Sequence, residues 1–417
     1  MLASTTLLIT AIVGTAAAAV VAPAPPVVSL ETFEVHVELE DPDLPDVSNI
    51  SSLEKRGVWS HGTNRLNKFY PGTQIAAISR HKDSMNLFYS NSRNKIVDDY
   101  WENGADWKSH GMSAGLSDWP VPLGPLTAHS RRSDRAEFFW IDKYQNLIQG
   151  YSWRSDQGWK DMRAPLGRKA RSSSRIAAMH NTPNDINLFY VGNNAGRSIY
   201  ASWCSLDGSV ADGEKWDAID TVVVSNAAAA DNGLVATAAF DSNGPDIFWI
   251  KTDGSINWAE NNKVWRTVQI LPPGSAHPNS NLVLLRSLNA AVNLFFVDTY
   301  KRVWTVYSTG DRTDWRWKSI DVDVSGFTRA EPEGLAAVSM SMNHMEVFWA
   351  SANGELIHSY RTTSSGKWSS QIMPLSDKDK TPCIPGGDIT AVTRYDGNME
   401  VWCMSNQNSY TEHWYYG

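Results

Sequence analysis

Apolar and polar residues along this chain alternate in short runs, and one run returns seven times: an acid or amide, an aliphatic residue, an aromatic, then usually a second aromatic. The copies begin at Asn86, Glu137, Asn187, Asp246, Asn293, Glu346 and Glu400. Their third residues are Phe88, Phe139, Phe189, Phe248, Phe295, Phe348 and Trp402, a period of about fifty that marks a repeat architecture. Phe138 replaces the aliphatic residue in one copy, and Cys403 the second aromatic in another.

The flanking pattern completes the unit. A short alternating run precedes each motif, as in Ile75-Ala76-Ala77-Ile78, and a Gly/Asn/Asp turn follows it. A third run is anchored by Ile96, Leu147, Ile199, Ile256, Val303, Leu356 and Tyr410. An aromatic stands four residues beyond most anchors: Tyr100, Tyr151, Trp203, Tyr307, Tyr360 and Trp414, with Glu260 in the fourth unit. A tryptophan (107, 159, 216, 265, 315 or 368) then opens a fourth run. Four β-rich segments per unit, with no sustained helical period, predict four-stranded antiparallel blades.

The seventh unit ends at Gly417 without its fourth-run tryptophan, while Trp59 precedes the first unit unmatched. Placing Trp59 on the fourth strand of the last blade joins the two ends of the chain in one sheet. Such closure removes the exposed edges of an open array. The expected fold is therefore all-β: a seven-bladed β-propeller over residues 57–417, closed by an N-terminal strand.

Residues 1–19 combine an apolar run, Leu7 to Val13, with small residues from Ala16, the pattern of a secretory signal, though without a basic start. The run is too short to be a good membrane span, and no later segment is long and apolar enough to be one. Residues 20–56 are Pro-rich and acidic and end in Lys55-Arg56, a dibasic pair of the kind kexin-type proteases cut; a chance pair in a linker is the alternative. Cleavage there starts the mature chain at Gly57 and removes the sequon Asn49-Ile50-Ser51. Secretion to an extracellular location is the expectation.

Charge changes with that cut. The whole chain has 45 acids and 37 bases, net −8; the first 56 residues hold eight acids and two bases, which leaves −2 for the ring. A near-neutral ring with only short basic stretches, Arg131-Arg132 and Arg168 to Arg175, gives no electrostatic reason to bind nucleic acid. Three cysteines make no disulfide framework. Cys383 and Cys403 can bridge if their strands are adjacent, or all three remain thiols.

Nineteen tryptophans and fourteen tyrosines suit stacking on sugar rings. Their recurrence at fixed blade positions equally suits packing between blades. No HExxH, GxSxG, Walker loop, metal-ligand spacing or dinucleotide fingerprint is present, so neither cofactor nor metal is expected and an enzyme is not indicated. The run Ser155-Asp156-Gln157-Gly158-Trp159 lacks the spacing of a sialidase Asp-box. The carboxylates Glu400 and Glu412, expected at equal depth on neighbouring strands, suit acid/base chemistry in principle but read more simply as a solvated pair.

The unit running from Val292 to Val303 and closed by Trp315 resembles a blade of the fungal fucose-specific lectins and of related seven-bladed bacterial lectin propellers. The resemblance covers the organisation of residues 57–417. In those lectins an Arg before the strand-two motif and a Glu twelve residues later bind sugar, with an aromatic from a neighbouring blade. Here the two positions hold Asn86/Asp98, Glu137/Gln149, Asp246/Trp258, Asn293/Thr305, Glu346/His358 and Glu400/Glu412, with Asn187 and Ala201 in the third unit. No unit has the Arg/Glu pair, so the resemblance implies glycan binding without naming fucose.

The expected function is that of a secreted, non-catalytic carbohydrate-binding propeller whose several weak, non-identical sites gain avidity on a glycan surface. The best candidate sites are Asn86 with Asp98, Glu346 with His358, and Glu400 with Glu412. Glycans or glycoconjugates are the expected partners. The alternatives are a scaffold that binds protein through its loops and a glycoside-active propeller with an unrecognised carboxylate pair.

Overall fold

A computed structural model describes residues 59–64, 68–69, 73–93, 95–112, 125–142, 148–154, 158–161, 167, 169–205, 216–238, 244–262, 264–286, 292–308, 315–319, 329–341, 344–362, 367–375, 383–395, 397–405 and 411–416. The expected signal segment, acidic stretch, Lys55-Arg56 and Gly57 lie outside them, as do Leu147 and Tyr410. Among the described residues no helix is long and apolar enough to cross a membrane.

The described chain is an all-β propeller of four-stranded antiparallel sheets, seven in number. Blade one runs Ile75–His81, Ser84–Ser90, Ile96–Glu102, Lys108–Gly111, each strand hydrogen-bonded to the next. Blades two to six repeat that order over 126–161, 176–224, 229–271, 283–319 and 330–372. The seventh sheet pairs Ile389–Val392, Met399–Met404 and Thr411–Tyr416 with Trp59–Asn64, in the register Trp59↔Tyr416 and His61↔Trp414. First strands pack side by side in sequence order, and that of blade seven meets that of blade one.

Each repeat aromatic from Phe88 to Trp402 lies on the second strand of its sheet and is at most 1% exposed. These strands are covered on both faces, so the alternation expected of a half-solvated strand gives way to unbroken burial, as in Ser84–Ser90. Burying a side chain of this size stabilises by roughly 1.5–3 kcal/mol. One face looks forward to the next blade and the other back. Phe88 stacks on Phe138 of blade two at 4.5 Å, while Leu87 and Tyr89 pack with Trp402 of blade seven.

Cys383, which precedes the first strand of blade seven, is joined by a disulfide to Cys403 on the second strand of that blade. Cys204 is buried and forms no disulfide.

Candidate functional site: the inter-blade clefts

Seven clefts separate the forward face of one blade from the next. Each combines the strand-two polar residue, the aromatic two positions on, the strand-three residue opposite that aromatic, and a tryptophan on or just before the fourth strand of the following blade. In cleft one, Asp98 lies opposite Phe88 in the strand register. Asn86 Nδ2 donates to Asp98 Oδ1 at 2.9 Å and Oδ2 at 3.1 Å. Trp159 Nε1, from blade two, donates to Asp98 Oδ2 at 3.1 Å and sets its ring edge-on to Phe88. Asn86 Oδ1 is buried and has no hydrogen-bond partner. Burial pushes the Asp98 carboxyl from 3.8 up to about 7, against the opposing pull of the Asn86 and Trp159 donors.

Cleft six brings Glu346 and His358 together, with His358 Nε2 at 2.5 Å from Glu346 Oε2. Gln371 Nε2 faces His358 Nδ1 at 3.2 Å, which suits a ring carrying its proton on Nε2. The imidazole stacks on Phe348 at 4.8 Å, and Trp59 of the seventh sheet meets it edge-on at 5.4 Å.

Cleft seven departs from expectation. Trp402 pairs with His413, and Glu412 lies one register step away, opposite Cys403. Glu400 therefore meets His413, whose Nε2 is 2.6 Å from Glu400 Oε2 and whose ring stacks on Trp402 at 4.7 Å. Glu412 turns to the other face, where His61 Nε2 lies 3.2 Å from its carboxylate. The two acids form neither a pair nor a solvated edge: both are buried. The cause is a hairpin one residue longer than in blades one and six, which shifts every later strand-three position to the opposite face. Blade two has the same extra residue, so Phe139 faces Gly150 while Gln149 pairs with Trp140. Gly150, and not the expected Gln149, thus holds the register position opposite Phe139.

Three arginines absent from the expected site enter these clefts, each six residues before the strand-two polar position: Arg80, Arg131 and Arg394. A register shift at the end of strand one accompanies the first two, between Ile78 and His81 and between His129 and Arg132. A bulge of this kind re-aims a side chain. Arg131 Nε donates to Glu137 Oε1 at 2.8 Å, both side chains being fully buried. Arg394 Nη2 lies 2.7 Å from Glu400 Oε1, with its guanidinium over Trp101 of blade one. Arg80 bonds Glu102 at 2.7 Å and lies 3.6 Å over Trp153 of blade two. The constant six-residue offset was the available signal.

The remaining clefts differ. Trp258 Nε1 donates to Asp246 Oδ1 at 3.2 Å in cleft four. In cleft five, Thr305 Oγ1 and the Trp368 indole nitrogen are buried without hydrogen-bond partners, beside Asn293. Cleft three offers Ala201 opposite Phe189. Clefts one and five therefore contain buried groups whose hydrogen-bonding capacity is unmet, while the acids of clefts six and seven are held by neighbouring side chains. Among the described residues no group of three His, Cys, Asp or Glu could hold a metal ion.

No family model matches the sequence, and no curated protein matches it. Solved structures do. The BP39L lectin from Burkholderia pseudomallei aligns at TM-score 0.68 and 14% identity, over 84% of this chain and 99% of that one. The fucose-specific lectin of Aleuria aurantia, described as a six-bladed propeller, aligns at TM-score 0.52 and 17% identity, over 74% and 97%. AofleA from Arthrobotrys oligospora aligns at TM-score 0.54 and 14% identity, over 77% and 91%. The fold of this chain is that of the lectin β-propellers.

Proposed function

We propose that residues 57–417 form a secreted, non-catalytic glycan-binding ring, with sugars held in the clefts between blades. On this reading residues 1–19 are a signal peptide, 20–56 a propeptide removed after Arg56, and the mature protein is extracellular. The observation that carries it is the recurring cleft: a tryptophan from one blade set beside polar groups of its neighbour. Aromatic faces take the apolar face of a sugar ring, and convergent polar groups fix its hydroxyls.

Asn86 and Asp98 make the leading site, since Asn86 Oδ1 lacks a partner and Trp159 walls the same space. Glu346 with His358 and Glu400 with His413 are further sites, in which sugar hydroxyls compete with an existing carboxylate–imidazole contact. Glu412 belongs to the other face of blade seven, beside His61. Cleft five, with Thr305 and Trp368, rises in rank because its groups are unmet. The solved neighbours are lectins, and one, that of Aleuria aurantia, was solved with α-methyl-L-fucoside; their low identity leaves the sugar open.

A glycan array with the mature domain tests the reading. Binding to a defined glycan class that Asn86→Ala or Asp98→Ala weakens by about 5- to 150-fold, the equivalent of ~1–3 kcal/mol, supports it. A folded domain that binds nothing across a broad array overturns it in favour of a protein-binding scaffold.

A further inference from the structure

Cleft seven differs from the others at its rim. Tyr395, in the hairpin between the first two strands of blade seven, is 48% exposed, and Tyr415, on the third strand, is 47% exposed. Tyr300 is the other exposed large aromatic among the described residues, and it stands on a hairpin between strands two and three, at the opposite end of its strands. Tyr395 and Tyr415 belong to one site. Tyr415 lies opposite Glu400 in the strand register, with its ring 6.2 Å from that of His413. The Arg394 guanidinium, which holds Glu400, is 5.5 Å from the Tyr395 ring and 4.7 Å from Trp101 of blade one. Trp107 of blade one lies 6.0 Å from His413.

The polar floor between the two tyrosines is already engaged. Glu400 is buried; Arg394 Nη2 lies 2.7 Å from its Oε1, and His413 Nε2 lies 2.6 Å from its Oε2. Arg394 Nη1 also donates to the Lys82 carbonyl of blade one at 2.9 Å. Both carboxylate oxygens have partners, and the guanidinium balances the charge. What the cleft offers a ligand is therefore aromatic surface rather than an unmatched charge.

Single exposed apolar side chains scattered over a surface carry no meaning. Two tyrosines beside one buried ion pair are a different matter, since each presents a rigid apolar ring with a polar tip. They stand on the strand-one and strand-three sides of Glu400, and strands so related lie roughly 10 Å apart, two strand spacings. One pyranose ring is too small to lie on both. We propose that cleft seven binds a linear, uncharged oligosaccharide, with successive units carried by Tyr415 and Tyr395. This depends on the clefts being glycan sites, and narrows one of them from a single sugar to a chain.

The test titrates the full secreted chain with glucose, mannose, galactose, xylose and N-acetylglucosamine, each beside its linear di-, tri- and tetrasaccharide. With fluorotryptophan incorporated, the fluorine signals of Trp101 and Trp107, assigned by substitution, report cleft seven separately from the other clefts. In one series the trisaccharide should bind about tenfold or more tightly than its monosaccharide at these signals. Tyr395→Ala and Tyr415→Ala should each bring the trisaccharide to within about threefold of the monosaccharide. Tyr395→Phe and Tyr415→Phe should keep the gain, because the ring is retained, and all four exposed-site variants should melt like wild type. Equal affinity for mono- and trisaccharide, or a gain that survives both alanine variants, overturns the proposal. So does a Pro-rich peptide that moves the Trp101 and Trp107 signals when no oligosaccharide does. Glycan binding on an array with both signals unmoved overturns this proposal and leaves the glycan reading standing; no binding on a broad array overturns both.

Discussion

Replacing Asp98 by Asn isolates the most strongly perturbed group in a candidate sugar site. Burial pushes the native carboxyl from the ordinary 3.8 up to about 7. A carboxyl raised on folding binds more protons in the native state than in the unfolded chain between those values. Its contribution to stability is therefore largest at low pH and falls as pH rises toward and through 7. Integrated from pH 5 to pH 8, the loss is on the order of 2–3 kcal/mol. The amide keeps the shape and removes the titration. Urea unfolding of both proteins at pH 5 and pH 8 gives a double difference in which other titrating groups cancel. Wild type should lose on the order of 2–3 kcal/mol more than Asp98→Asn between the two pH values. In the glycan assay, wild-type affinity should change across the same interval, since the ionised carboxylate is a pure acceptor while the acid also donates. Equal pH slopes for the two proteins would falsify the assignment of a near-neutral carboxyl at Asp98.

Other expectations follow from the closing blade and the chain start. Opening the Cys383–Cys403 bridge by Cys383→Ser should cost about 3 kcal/mol in unfolding free energy, given the 20-residue separation. An unchanged denaturation midpoint refutes that. Deleting residues 57–63 removes the strand paired with Thr411–Tyr416 and takes Trp59 from Phe348 and His358 of blade six. Loss of one buried tryptophan alone costs about 3–5 kcal/mol, so the deletion should destabilise the whole ring; a variant that melts like its parent places the clasp elsewhere. The secreted protein should begin at Gly57 on N-terminal sequencing, and Arg56→Ala should retain the acidic segment.

The fold was legible because it depends on residues that repeat. An aromatic that must fill the gap between two sheets returns in every blade, and the unmatched Trp59 pointed to its strand in the seventh sheet. Site geometry was less legible, because it depends on the length of a hairpin rather than on its residues. Counting twelve positions from Asn86 and from Glu346 reaches Asp98 and His358, which the structure places beside them. The same count from Glu400 reaches Glu412, one residue short of His413, because the turn before Thr411–Tyr416 is longer. A strand's two-residue period turns that single step into a change of face.

The arginines were missed for a different reason. Arg80 and Arg131 sit where strand one shifts register, so its regular alternation does not assign them to either cleft. What the sequence did carry was their common distance of six from Asn86 and Glu137, shared by Arg394 and Glu400. The consequence for recognition is specific. In clefts two and seven a guanidinium and a carboxylate lie in contact beside a neighbouring tryptophan, supplied by strand one and strand two rather than by strands two and three. If Glu400 serves binding, Arg394 holds its orientation and its charge together. Arg394→Lys should then retain the fold but weaken glycan binding at that cleft, because an ammonium cannot reproduce the paired Nε and Nη2 contacts to one carboxylate. Stability measured by urea should change little if the lysine still neutralises Glu400. Binding unaltered in Arg394→Lys, with cleft one disabled by Asp98→Ala to expose it, removes Arg394 and Glu400 from the site.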